Sequence, residues 1–234
     1  QVEYRDVKLT SVRRTIAKAM HASLSSMAQL TLNASFDATK LLEMRAALKE
    51  RAEKLGLPNI TLNDMIFFAV SRTILAHPDL NAHYLEEEGV IRQFTGVNLG
   101  IAVDTERGLL VPTLFGADKL TLAELSAKAK ELIAAAQRGS VAPDLLRGAS
   151  FTVTNLGSLG VESFTPVINP PQTGILGVCN ITRRVQEVDG KDVFYPAMGL
   201  SLTFDHRALD GAPAARFLRD LSVNLENFDL LLAR

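Results

Sequence analysis

From Ser150 to Phe204 the chain is punctuated for strands. Ser150–Thr154, Gly174–Asn180 and Tyr195–Phe204 are apolar or β-branched runs, with a hairpin signal at Asp189-Gly190 between the last two. Asn169-Pro170-Pro171 stands between the first two runs. Consecutive prolines cannot lie in a central strand, so they force an extended bend ahead of Ile175-Leu176. Most of what precedes this region is patterned for helices. Helical segments first and strands later, without regular βαβ alternation, predict an α+β fold: a mixed, largely antiparallel sheet flanked by helices. With no internal repeat or linker beyond residue 9, one domain is expected over 10–234; residues 1–9, polar and unpatterned, read as the remnant of an interdomain linker.

The helix signals are specific. Thr10 and Ser11 can cap a helix carrying Val12, Ile16 and Met20 on one face. Leu30, Leu32, Ala34 and Phe36 alternate as one face of a strand, after which Asp37 caps a helix from Ala38 to about Leu55, closed by Gly56. Thr61 and Asp64 form a capping-box pattern before an apolar helix that stops near Pro78. Thr121 and Glu124 form another, with a Leu120/Leu125 staple, opening a helix that ends at Gly139. Two short strands, 82–85 and 90–94, flank an acidic turn. Val97–Asp104 and Leu109–Phe115 read as a longer hairpin, and a last helix starts near Asp210.

Composition excludes several functions. A formal net charge of −1 provides no basic field for nucleic acid and no polybasic patch for a membrane. No apolar run approaches the roughly 20 residues that cross a bilayer. Cys179 is the only cysteine, so an intrachain disulfide is impossible; in its apolar run it reads as a buried, inert thiol. The chain begins at Gln1 rather than Met and reads as a piece of something longer, so a missing targeting segment says little.

Four segments could carry chemistry. In Asp205-His206-Arg207-Ala208-Leu209-Asp210-Gly211 a strand face (Leu200, Leu202, Phe204) delivers His206 to the sheet's end, and Gly211 permits a tight turn into the helix. Either Asp210 caps that helix beside an ordinary histidine, or His206 is a general base; imidazole titrates near neutrality, as such a base must. With no G-x-S-x-G and no reactive cysteine, the group it would deprotonate belongs to a substrate. No His/Cys cluster or H-x-x-x-H spacing suggests a metal. In Ser150–Gly157, Thr152 and Thr154 share a face; both could be strand filler, or one hydroxyl could donate to an oxyanion. The Asn169–Gly177 bend is structural by default. Arg13-Arg14 is either a solvated face or the partner of a carboxylate or phosphate.

Together, in this order, the four segments resemble the catalytic core of the dihydrolipoamide acyltransferases, the E2 components of 2-oxo acid dehydrogenase complexes, whose fold is shared with chloramphenicol acetyltransferase. D-H-R-x-x-D-G is matched by Asp205–Gly211, F-T-[IV]-[ST]-N-x-G by Phe151–Gly157, N-P-P-Q-x-x-I-L-G by Asn169–Gly177 and R-R-x-I-A-x-x-M by Arg13–Met20. The resemblance covers residues 9–234. It implies transfer of a small acyl group, acetyl favoured, between dihydrolipoamide and coenzyme A. His206 would take the thiol proton, and Thr154 would donate to the oxyanion, from a neighbouring subunit. Asp210 would hold the loop through an arginine, with Arg13 or Arg14 the candidates; Asn155 and Gly211 would support the site. It further implies a homotrimer that builds a 24-mer or 60-mer core, lipoyl groups carried on a separate domain, E1 and E3 partner components, and a place in the cytoplasm or the mitochondrial matrix. Asp205 has no role beyond the pattern, and His21, His77 and His83 match none of the motifs.

Overall fold

The computed structural model describes residues 2–54, 56 and 58–233. Six α-helices and eight strands follow in this order: α1 (Ser11–Ser26), β1 (Gln29–Asp37), α2 (Thr39–Arg51), α3 (Leu62–Thr73), β2 (Ala82–Leu85), β3 (Val90–Gln93), β4 (Leu99–Ile101), β5 (Thr113–Leu114), α4 (Leu122–Arg138), β6 (Phe151–Asn155), β7 (Gly174–Val188), β8 (Lys191–Asp205), α5 (Gly211–Glu226) and α6 (Phe228–Leu231). One six-stranded sheet has the order β1-β8-β7-β6-β4-β5, and β2 and β3 form a separate ribbon. The pairs β1–β8, β8–β7 and β4–β5 are antiparallel; β7–β6 and β6–β4 are parallel. This is the mixed sheet expected.

Helix starts follow the local chemistry. The Thr61/Asp64 and Thr121/Glu124 capping boxes are both closed reciprocally, and Gly139 ends α4 in the left-handed conformation at φ 69°. α2 departs from its expected bounds: Asp37 accepts from the Thr39 N–H and hydroxyl, but the N-cap is Ala38, which makes no side-chain capping bond, and the helix starts at Thr39 and ends at Arg51; Leu55, where it was expected to run, lies outside the described residues. The hairpin expected over 97–115 is short, with β4 and β5 sharing two rungs and Val103 bridging Leu110 further out. β7 and β8 are longer than expected, 15 residues each. Their distal halves leave the sheet as an exposed two-stranded ribbon, where apolar patterning fades.

One face of the sheet is apolar. Phe36 of β1 and Leu200, Leu202 and Phe204 of β8 are buried in a single core with α3 and α5, and the partly buried Leu32 and Ala34 of β1 pack against it. Full burial of side chains of this size stabilises by about 1.5–3 kcal/mol each. The other face is lined by small and polar side chains. There the extended segment 161–168 crosses β7 and β8, and it needs glycines beneath it: a Cβ on Gly177 would lie 2.6 Å from the Phe164 ring, and one on Gly199 would lie 2.9 Å from the Glu162 carbonyl oxygen. Ser23 of α1 donates to the Ile168 carbonyl at 2.6 Å, tying the first helix to this segment.

Candidate active site

His206 follows the last residue of β8. Its backbone N–H donates to the Ala28 carbonyl at 2.8 Å, and the imidazole stands out from the sheet end, 44% exposed, with the Phe204 ring 5.6 Å away. Both neighbours turn inward. Asp205 is fully buried and accepts from the Arg207 backbone N–H (3.1 Å), Arg207 Nε (3.1 Å to each oxygen), Arg207 Nη2 (2.8 Å) and the Ala28 N–H (3.3 Å). Those hydrogen bonds to Asp205 are the main reason Arg207 is held above its ordinary pKa. Asp205, assigned no role from sequence, is thus the buried anchor of the loop.

Asp210 behaves differently from both readings of it. It occupies the N-cap position of α5 but makes no capping hydrogen bond, so it is not a helix cap. Its Oδ1 lies 3.7 Å from His206 Nδ1, and its side chain is 84% exposed. The expected pairing with Arg13 or Arg14 is not formed within the chain. Both arginines are exposed on α1, and Arg13 packs beside the Gly108 turn instead. Gly211 opens α5 with open space around it, leaving the entry to the helix unobstructed.

Thr154 lies near the end of β6. The buried Phe151 and Val153 face the core, while Thr152 and Thr154 share the opposite face. Their fates diverge there. Thr152 is fully buried and donates to Gln172 Oε1 at 2.7 Å, which makes it structural and gives the N-P-P-Q glutamine its purpose. Thr154 is only partly buried, and among the described residues no side-chain partner engages its hydroxyl. Asn155 closes the turn that follows: its Oδ1 accepts from the Gly157 N–H at 2.7 Å, and its Nδ2 donates to Asn63 Oδ1 at 2.5 Å. Beside it opens a cleft of about 450 Å³ lined by Arg45, Asn63, Asn155, Asn180, Ile181 and Met198 among others. Arg45 and Asn63 carry no recognisable motif and were invisible in the sequence.

The strand register fixes how far apart His206 and Thr154 are. Thr154 pairs with Gly177, and Gly177 with Ser201, two strands across; His206 is five residues further along β8 than Ser201. At about 3.3 Å per residue and 4.8 Å per strand, the two residues are on the order of 19 Å apart, at opposite ends of the sheet. One chain cannot present both to one reacting atom. Cys179, His77 and His83 are hydrogen-bonded to neither residue. Burial pushes the Cys179 thiol up, away from the reactive range. His77 and His83 are lowered chiefly by burial, beside Asp220 (3.2 Å) and the Ala149 carbonyl (2.8 Å) respectively. Among the described residues, no helix is long and apolar enough to cross a membrane.

The architecture is that of chloramphenicol acetyltransferase, with which the chain superimposes at a TM-score of 0.54 and 12% identity over 95% of this chain and 99% of that one; at that identity only the fold is shared. The chain belongs to the family described as 2-oxoacid dehydrogenases acyltransferase (catalytic domain), which matches residues 1–233. It is 39% identical, over 95% of its length, to the dihydrolipoyllysine-residue acetyltransferase component of the acetoin cleaving system of Bacillus subtilis. It is 37% identical, over 96%, to the corresponding component of the pyruvate dehydrogenase complex of Staphylococcus aureus. The chain spans about half the length of these relatives, 55% and 52%. It superimposes on the dihydrolipoamide acetyltransferase of Azotobacter vinelandii with a TM-score of 0.92 and 34% identity, over 98% of this chain and 94% of that one.

Proposed function

We propose that this chain is the catalytic core of an enzyme that transfers an acetyl group between coenzyme A and the dihydrolipoyl thiol of a 2-oxo acid dehydrogenase complex of the pyruvate or acetoin type. One observation carries the reading. The serine, histidine and asparagine whose catalytic roles were investigated in the A. vinelandii enzyme are 52 and 4 positions apart, the intervals that separate Thr154, His206 and Asp210 here. Threonine keeps the hydroxyl, histidine is unchanged, and aspartate keeps a short side chain with an acceptor oxygen.

The geometry supports a reaction shared between two chains. His206 takes the proton of the attacking thiol, and the thiolate adds to the thioester carbonyl carbon. The tetrahedral oxyanion accepts a hydrogen bond from Thr154 of a second copy, whose hydroxyl has no side-chain partner among the described residues of its own chain. Collapse expels the other thiolate, which recovers the proton from the imidazolium, so acyl group and proton exchange places with no net change in charge. No nucleophile of the protein is consumed. Asp210, at ion-pair distance from His206 Nδ1, stabilises the imidazolium during the transfer. A closed trimer repeats such a site three times around a ring. Trimers building a cubic core, with lipoyl domains and E1 and E3 components as partners, are part of the same proposal. A structurally similar chain forms the cubic core of a pyruvate dehydrogenase multienzyme complex. The compartment is that of the complex: cytoplasm in a bacterium, mitochondrial matrix in a eukaryote.

The test is acyl transfer to dihydrolipoamide from acetyl-, succinyl- and isobutyryl-CoA. Acetyl-CoA should be the best donor. His206→Ala should lower the rate at least about a thousandfold with the assembly unchanged in mass. Thr154→Ala should lose on the order of a hundredfold, with Thr154→Ser close to the unsubstituted protein. An unchanged rate in His206→Ala would sink the mechanism.

A further inference from the structure

The β2–β3 ribbon is outside the main sheet, and none of the motifs that mark the acyltransferase site falls in it. It nevertheless ends on the loop that carries His206. Arg207 Nη1 donates to Glu86 Oε2 at 3.1 Å, and the guanidinium lies 4.4 Å from the centre of the Tyr84 ring, stacked in the manner of a cation on an aromatic face. The ribbon is itself fixed to the body. The Tyr84 N–H donates to the Pro171 carbonyl at 2.8 Å, His83 bridges to Gln172, and His83 Nε2 lies 2.8 Å from the Ala149 carbonyl.

We infer that Tyr84 and Glu86 are positioning residues for catalysis, which aim the His206 imidazole through Arg207; the inference rests on the reading of His206 as the base. The two residues flanking His206 are stapled together behind it. Asp205 closes an i to i+2 turn onto the Arg207 N–H, and the Arg207 guanidinium returns to both Asp205 oxygens. That staple fixes the backbone on either side of residue 206 and forces the imidazole outward. It leaves free one guanidinium nitrogen and the flat face, and these are the parts that Glu86 and Tyr84 take. Without them the fork can pivot about Asp205, and the loop pivots with it. Misplacement of a base by a fraction of an ångström costs rate and leaves substrate binding nearly untouched.

Substituting Arg207 unpairs the fully buried Asp205 and can unfold the chain, so the decisive variants are at the half-buried Tyr84 and the exposed Glu86. In the assembled protein, acyl transfer from acetyl-CoA to dihydrolipoamide should show kcat lowered about fivefold to tenfold in Tyr84→Leu and in Glu86→Ala. KM for both substrates should stay within about twofold. Tyr84→Phe keeps the ring face and Glu86→Gln keeps an acceptor oxygen, so each should recover at least about half of kcat. The inference is overturned if the Tyr84→Leu/Glu86→Ala double variant assembles with an unchanged kcat, or if Tyr84→Phe is as impaired as Tyr84→Leu. His206→Ala separates the two claims. If it abolishes transfer while the ribbon variants keep full kcat, only the positioning role fails; if it is active, the underlying reading fails first.

Discussion

Gly157 leaves no room for a side chain. A Cβ there would lie 2.4 Å from the Cys179 carbonyl oxygen and 2.7 Å from its carbon, both backbone atoms of a central strand that cannot move aside cheaply. Gly157→Ala should therefore cost about 1–3 kcal/mol, read from the denaturant midpoint, because the turn after β6 must shift. Since that turn follows Thr154 by only three residues, kcat should fall with it. At this scale the sequence was legible where a motif coincides with one physical demand. The N-x-G of Asn155–Gly157 is such a case: the amide closes the turn and the glycine clears the strand. It was illegible where two identical side chains share a face. Thr152 and Thr154 look alike in the sequence, and only the buried Gln172 acceptor, 18 residues beyond Thr154, separates the structural hydroxyl from the uncommitted one. Asp205 was missed for a related reason: what makes it an anchor is complete burial beside Arg207, which no local pattern encodes.

Elements with chemical end signals were readable, and the length of β7 and β8, set by pairing alone, was not. Thr61/Asp64 and Thr121/Glu124 state where α3 and α4 begin because the cap is made of neighbours in sequence. β7 and β8 outrun their apolar cores because hairpin pairing continues from Ile181–Met198 out to Val188–Lys191, where both faces are solvated and alternation no longer matters. The β2–β3 ribbon was located to within a residue, but its hold on the body depends on His83, which no motif singled out. Burial lowers the His83 pKa, opposed in part by the hydrogen bond to the Ala149 carbonyl. A depressed pKa means that the unfolded chain binds the proton more readily than the folded one. The associated stability is present above the unfolded value, about 6.5, and is lost as pH falls through the folded value. Melting temperature should therefore decline from pH 7.5 to pH 5, and the decline should be shallower in His83→Gln, which has an amide donor for Ala149 and no proton to gain. An identical slope in the variant would show that His83 is not the group responsible.

For the whole molecule the decisive fact is the separation of His206 from Thr154, on the order of 19 Å by strand register. Neither residue is misplaced. Each stands at the mouth of the sheet on its own side, with a functional atom that its own chain leaves uncommitted or exposed. On the reading proposed above, an arrangement that looks incomplete in one copy is what a ring of copies requires, since each interface would join the histidine end of one chain to the threonine end of the next. This makes a prediction that no single-chain site can meet. His206→Ala and Thr154→Ala chains, each nearly inactive alone, should be unfolded together, mixed in equal amounts and refolded. In random assemblies a site draws its histidine from a Thr154→Ala chain half the time, and its threonine from a His206→Ala chain half the time. About a quarter of sites then carry both intact groups, and the mixture should recover about a quarter of full activity. If the mixture is no more active than the mean of its two components, histidine and threonine act from the same chain, and the strand register would have to be wrong.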